Sequence, residues 1–361
     1  MLYYLLYPLS DEWTVMNVFR YITFRSVYAG LTAFFLSLWL GPWLIRRLRQ
    51  SGVGQCIRED GPDGHQKKAG TPTMGGVMIL ASIVASVLLW ARWEQDVVWI
   101  TMFALVWFGG VGFLDDILKW KRGRAQGLCA VGKLALQVTG AALILWMTLS
   151  STQGWNLATA INLPLLKQPL QLPLAVYVLV GLGVIAGASN GVNLTDGLDG
   201  LAIGALALVA GTFAVMSYLV ANVKFANYLK IIHLAGTGEL TVVCAALVGA
   251  ALGFLWFNAY PAQIFMGDTG SLGLGGVLGT IAVLIKQELL LFVVGGLFVA
   301  EVVSVMVQVV HFKLTGRRVF LMAPLHHHYE MKGWSEPKVM IRFLIIAAML
   351  ALFTLSTLKL R

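Results

Sequence analysis

Five stretches of this 361-residue sequence carry side chains of the kinds that handle phosphate or metal. Asp115 and Asp116 stand side by side, with Lys119 one helical turn beyond them. Adjacent carboxylates repel and are costly near a membrane unless a cation or proton relieves them, so the pair suits divalent metal, phosphate chemistry or proton exchange. The plain alternative is a solvated helix end with an Asp115–Lys119 i,i+4 pair. In the string NLTDGLDG, Asn193, Asp196 and Asp199 recur every third residue and align on one face of a helical turn. The interleaved glycines let a ligand approach the backbone closely. An asparagine-capped helix start covers Asn193 and leaves Asp199 unexplained.

Asp268 lies between Gly267 and Gly270 at the end of the stretch Asn258–Ser271. It can cap a following helix, ligate a metal, or both. His326, His327 and His328 are consecutive and lack HExxH spacing, so they cannot all face one ion. Hydrogen bonding of imidazoles to phosphate oxygens suits them better, with a polar interface loop as the plain reading. Lys67 and Lys68 precede GTPTMGG, a turn-rich approach that could bind phosphate but is no Walker A loop. Lysines at such a boundary are otherwise commonplace. Together the carboxylates, lysines and histidines make an oxygen-rich set that suits Mg²⁺ on a pyrophosphate, and zinc is disfavoured.

The elements that must position these residues follow from composition. Hydrophobic residues make up 58% of the chain and charged ones 12%, so a bilayer is the expected solvent. Continuous apolar runs argue for helices, because lipid leaves backbone groups to be satisfied internally. About ten spans are predicted, at roughly 24–45, 72–91, 97–114, 131–149, 173–190, 199–220, 239–257, 262–285, 288–310 and 339–358. The eighth, rich in glycine, is expected to be the weakest and the one open to a break. Residues 1–20 lack a basic leading segment and a cleavage site, and they read as an interfacial segment rather than a signal peptide. The fold class is therefore all-α: one polytopic integral-membrane domain over 1–361, with no internal repeat.

Net charge of +9 does not imply nucleic acid, because the cations are unevenly distributed. They cluster after the first span (Arg46, Arg47, Arg49), the third (Lys119, Lys121, Arg122, Lys133) and the ninth (Lys313, Arg317, Arg318). The positive-inside bias then puts the loops after odd-numbered spans in the cytoplasm and both termini outside. All five polar stretches follow odd-numbered spans and converge on that face. Cys56, Cys129 and Cys244 share no metal or disulfide spacing.

The strings GTPTMGG (70–76), GFLDD (112–116), NLTDGLDGL (193–201), FNAYPAQIFMGDTGS (257–271) and MAPLHHHYEMKGW (322–334) resemble those of the phospho-N-acetylmuramoyl-pentapeptide transferase family. That family lies within the polyprenyl-phosphate N-acetylhexosamine-1-phosphate transferase superfamily, and the resemblance runs from about residue 20 to the C-terminus. It implies a ten-helix, usually dimeric enzyme of the bacterial inner membrane, embedded among membrane lipids with its site facing the cytoplasm. Such an enzyme joins UDP-MurNAc-pentapeptide to undecaprenyl phosphate, releasing UMP and forming lipid I for the cell wall. Carried over by position, Asp268 would hold Mg²⁺, and Asp115 and Asp116 would be catalytic or orient the lipid phosphate. Lys68, Lys119, Lys133, Asn193, Asp196 and Asn258 would line the substrate pocket, with Asp199 in the same set and Phe265 near the uracil. His326, His327 and His328 match the family's histidine motif.

Phosphoryl transfer demands alignment and neutralised oxygen charge more than covalent help. Direct attack by the lipid phosphate is therefore expected over an aspartyl-phosphate intermediate. A UDP-GlcNAc:polyprenyl-phosphate GlcNAc-1-phosphate transferase would share the aspartate motifs, and the histidine string favours the muramoyl-pentapeptide branch. A proton-coupled transporter would also bury carboxylates, but near mid-membrane rather than at one surface.

Overall fold

A computed structural model describes residues 1–52, 70–123, 126–151, 159–163 and 169–359. Its helices, in chain order, are α1 (Leu2–Leu6), α2 (Ile22–Gln50), α3 (Gly76–Trp90), α4 (Asp96–Arg122), α5 (Ala130–Ser150), α6 (Leu174–Thr195) and α7 (Leu201–Ala221). There follow α8 (Val223–Leu229), α9 (Glu239–Asn258), α10 (Gly267–Leu284), α11 (Glu288–Val294), α12 (Gly296–Thr315), α13 (Leu325–Met331) and α14 (Glu336–Ser356). Among the described residues nine helices are long and apolar enough to cross a membrane, and the shorter apolar α3 brings the set to the expected ten. Among the described residues the strands are one two-residue pair, β1 (Ala160–Ile161) antiparallel to β2 (Leu170–Gln171), with Ala160 opposite Gln171.

Helix α10 occupies the middle of the bundle, packed by α4, α6, α3 and α7. Every residue from Thr269 to Leu284 is buried, and the helix runs unbroken. The expectation of a break in the eighth span is thus corrected, although its mean hydropathy is the lowest of the nine long helices. Its glycines admit neighbours: a Cβ at Gly275 would strike the backbone of Ala188 and Ser189 in α6, and one at Gly273 would crowd Gly109 of α4. Small residues serve this purpose where helices meet in lipid. The break falls instead in the ninth span, where α11 and α12 part at Gly295. Two successive glycines, Gly295 and Gly296, lower the cost of leaving helical geometry there.

The chain from Ala262 to Met266, predicted as part of the eighth span, is irregular and held by backbone pairing to the start of α3. Phe265 N donates to the Pro72 carbonyl (2.8 Å), Gly75 N to the Phe265 carbonyl (2.8 Å) and Gly76 N to the Met266 carbonyl (2.8 Å). Non-helical backbone at such a place is tolerated because protein surrounds it. The C-terminal ends of α4, α6 and α9 and the N-terminal ends of α3 and α10 therefore share one end of the bundle.

At the other end, the N-terminal segment forms α1 and two 3-10 turns, Tyr7–Asp11 and Thr14–Arg20. The Met1 amine donates to the Leu88 carbonyl (2.9 Å), and Trp93 N donates to Tyr4 Oη (2.8 Å). Beneath it Arg25 grips the buried Glu239 through two 2.6 Å bonds, tying α2 to α9. A paired, bidentate arrangement is what makes two buried charges tolerable.

Candidate active site

The site begins with how α10 starts. The first N–H groups of a helix lack partners within it and ask for an acceptor. Asp116, near the end of α4, supplies it: its carboxylate accepts from Asp268 N (3.1 Å), Thr269 N (2.9 Å) and Thr269 Oγ1 (2.7 Å). Capping of α10 thus falls to Asp116, and the Asp268 side chain is left for other work. The approach needs two glycines. Gly112 has no room for a Cβ, which would land on the Asp268 carbonyl, and Gly267 adopts φ +73° against Asp116.

Asp268 turns its carboxylate into a polar centre. Oδ1 accepts from Asn193 Nδ2 (2.9 Å), which also reaches Ser271 Oγ (2.8 Å). Oδ2 meets Lys119 Nζ at 2.9 Å and Lys133 Nζ at 2.6 Å. Lys119 bridges onward to Asp115 Oδ2 at 2.6 Å, and Asp115 Oδ1 accepts from Leu128 N at 2.7 Å. Asp115, Asp116 and Asp268 can each offer an oxygen within 4.8 Å of the others. The donors are carboxylates alone, which suits a hard divalent ion such as Mg²⁺ and not zinc. Two ammonium groups at the same carboxylates show how strongly the cluster calls for positive charge.

The remaining expected residues divide. Asp196 follows the end of α6, where burial, reinforced by Asp268, Asp116 and Asp199, pushes its carboxyl up to about 8. Asp199 and Asn258 brace loops. Asp199 Oδ2 accepts from Ala262 N (3.0 Å), while Asn258 accepts from Gly200 N (3.0 Å) and donates to the Ile264 carbonyl (2.9 Å). Both fix the loop that carries Phe265, which is half-buried beside Pro72. Glu336, which the sequence did not single out, accepts from Asp199 N at 2.9 Å. Lys68 lies outside the described residues.

The three histidines face three different ways. His326 is buried with Nδ1 3.1 Å from Glu301 Oε1 of α12, and His327 Nδ1 lies 2.7 Å from Glu330 Oε2. His328 Nδ1 accepts from Leu321 N at 3.1 Å. Burial and the nearby Lys332 ammonium hold the His328 imidazole below the ordinary histidine value, in keeping with a ring that accepts. Glu301 was missed in the sequence, though a glutamate inside an apolar span is itself a signal of function.

A many-spanning helical bundle with an acidic and cationic centre at one end suits a membrane enzyme that handles phosphorylated substrates. The glycosyl transferase family 4 model matches residues 97–286, and the phospho-N-acetylmuramoyl-pentapeptide-transferase signature 1 matches residues 68–80. Phospho-N-acetylmuramoyl-pentapeptide-transferase of Desulfatibacillum aliphaticivorans is 56% identical, with 100% of each chain covered. Those of Syntrophus aciditrophicus (strain SB) and Desulfotalea psychrophila (strain LSv54 / DSM 12343) are each 51% identical, again over 100% of both chains. The chain belongs to the phospho-N-acetylmuramoyl-pentapeptide-transferase family.

Proposed function

We propose that this chain carries out its family's reaction at the Asp115–Asp116–Asp268 cluster. Phospho-MurNAc-pentapeptide passes from UDP-MurNAc-pentapeptide to undecaprenyl phosphate, giving lipid I and UMP for peptidoglycan synthesis. The reaction takes place on the cytoplasmic face of the inner membrane, and the homodimer is carried over from the family resemblance. The observation that carries this reading is the meeting of three carboxylates, Lys119, Lys133 and Asn193 at one end of an apolar bundle.

Asp268 would hold Mg²⁺, with Asp115 beside it, and the ion would neutralise charge on the pyrophosphate oxygens when bound. Lys119 and Lys133, which rest on Asp268, then serve as donors to the donor's phosphate oxygens. Asn193 keeps Asp268 oriented through the bond to Oδ1. Asp116 keeps α10 in place. Asp115 orients the lipid phosphate or takes its last proton, so that a phosphate oxygen attacks the sugar-linked phosphorus. The bond from that phosphorus to the bridging oxygen breaks, and the electron pair leaves with UMP.

The acceptor's tail would lie beside this centre. An apolar cavity of about 220 Å³ is lined by Gly187, Gly191 and Val192 of α6 and by Phe298, Val302 and Met306 of α12. It ends next to Asn193 in sequence. A polyprenyl chain lying there would bring its phosphate to the carboxylates.

The test is to incubate the purified protein with Mg²⁺ and UDP-MurNAc-pentapeptide labelled in the sugar-linked phosphate, with and without undecaprenyl phosphate. Direct attack requires label in lipid only when the acceptor is present. Label on the protein in its absence would point to an aspartyl-phosphate, and faster turnover of UDP-GlcNAc would move the chain to the other branch of the superfamily.

A further inference from the structure

Glu301 takes no part in the aspartate cluster, yet its burial is complete. Helix α12 buries only Leu297, Phe298, Glu301 and Ser304, so the glutamate sits on the stripe turned into the protein. Helix α13 buries a single residue, His326. The two meet with Nδ1 and Oε1 3.1 Å apart, the side chains 1% and 0% exposed. Among the described residues no conventional hydrogen bond reaches either oxygen of Glu301 or either nitrogen of His326. Each is therefore the other's chief polar neighbour, in a setting where an unmatched carboxylate is costly.

A tether between α12 and α13 would account for the pair by itself, but the ring's other edge points further. His326 Nε2 presses on Gly197, where any Cβ would collide with the imidazole. Gly197 follows Asp196 in the loop that leads from Asn193 to Gly200. The imidazole is thus held between a buried carboxylate and the backbone of a loop that flanks the aspartates.

We infer that Glu301 is a positioning residue for His326. Its carboxylate keeps a proton on Nδ1 and fixes the ring plane, so that Nε2 is held against the Gly197 backbone and the ring sets the path of the Asn193–Gly200 loop. A carboxylate against one imidazole nitrogen sets the tautomer at the other. The inference rests on the reading of the aspartate cluster, which the Asn193–Gly200 loop flanks, as the catalytic site.

The test uses the full chain in detergent. Glu301→Gln keeps the volume and removes the charge. It is expected to lower kcat about 10- to 100-fold, the range found for outer partners of a site, while KM for UDP-MurNAc-pentapeptide moves less than about twofold. In a His326→Gln background the same change should alter kcat less than about twofold, because the residue through which it acts is gone. Losses that multiply in the double variant would overturn the inference. So would ¹⁵N-histidine spectra of the unaltered chain in which the His326 signal, identified by its loss in His326→Gln, shows a bare Nδ1. Full kcat in His326→Gln would show that the ring does not set the loop for catalysis; the inference would then fall while the reading of the aspartate cluster stands.

Discussion

At the scale of residues, the division of labour among the aspartates sets the expected responses. Asp116 is bonded to three donors of α10, one of them the Thr269 hydroxyl. Thr269→Val should therefore cost only about 1 kcal/mol, the worth of one hydrogen bond, read from chemical or thermal unfolding. Asp116→Ala should cost more and abolish turnover, since it strips the cap from the helix that carries Asp268. Lys133→Ala should raise KM for UDP-MurNAc-pentapeptide about tenfold, the effect of one charge-assisted bond, with little change in melting temperature. Asp115 and Asp116 could be picked out from the sequence because adjacent carboxylates beside a membrane are expensive, and Asp268 because it stands between glycines in a polar stretch. The cap could not, because Asp116 and Asp268 are 152 positions apart and nothing local marks their bond. The bracing roles of Asp199 and Asn258 were hidden for the same reason: their partners lie on other loops.

At the scale of elements, the placement of α10 depends on close approach to α4. Gly112 meets the Asp268 carbonyl with no room for a side chain. Gly112→Val should push the two helices apart and lower kcat about 100-fold, because a displacement near 1 Å costs that much where reacting groups must align. Retained helical content by circular dichroism would separate misplacement from unfolding. Apolar run length made the spans legible, and nine long helices plus α3 agree with the ten predicted. Glycine content misled only over a break in the eighth, which is continuous though the least apolar of the nine. A glycine-rich stretch reads equally as a weak helix or as one pressed on every side by neighbours, and only the packing decides between them. Glu301 and His326 show the same limit, since a contact between two helices is set by how the bundle closes.

At the scale of the whole molecule, the polar centre lies at one end of the bundle and the N-terminal segment at the other. The cytoplasmic placement of that centre can be tested with a native thiol. Cys129 is exposed and precedes α5, four positions before Lys133, whereas Cys244 is buried. In a Cys56→Ser background, a membrane-impermeant maleimide should label Cys129 in inverted membrane vesicles and leave it unlabelled in intact spheroplasts. The opposite pattern would reverse the topology drawn from the distribution of lysine and arginine.

The most direct measurement is UMP release by the purified protein with UDP-MurNAc-pentapeptide, undecaprenyl phosphate and Mg²⁺, compared between the unaltered chain and Asp268→Asn. Release should require the lipid and the ion, and should fall about 1,000-fold in the variant, as when a central charge-stabilising group is lost. An Asp268→Asn protein that releases UMP at the full rate would contradict the assignment of the reaction to this cluster.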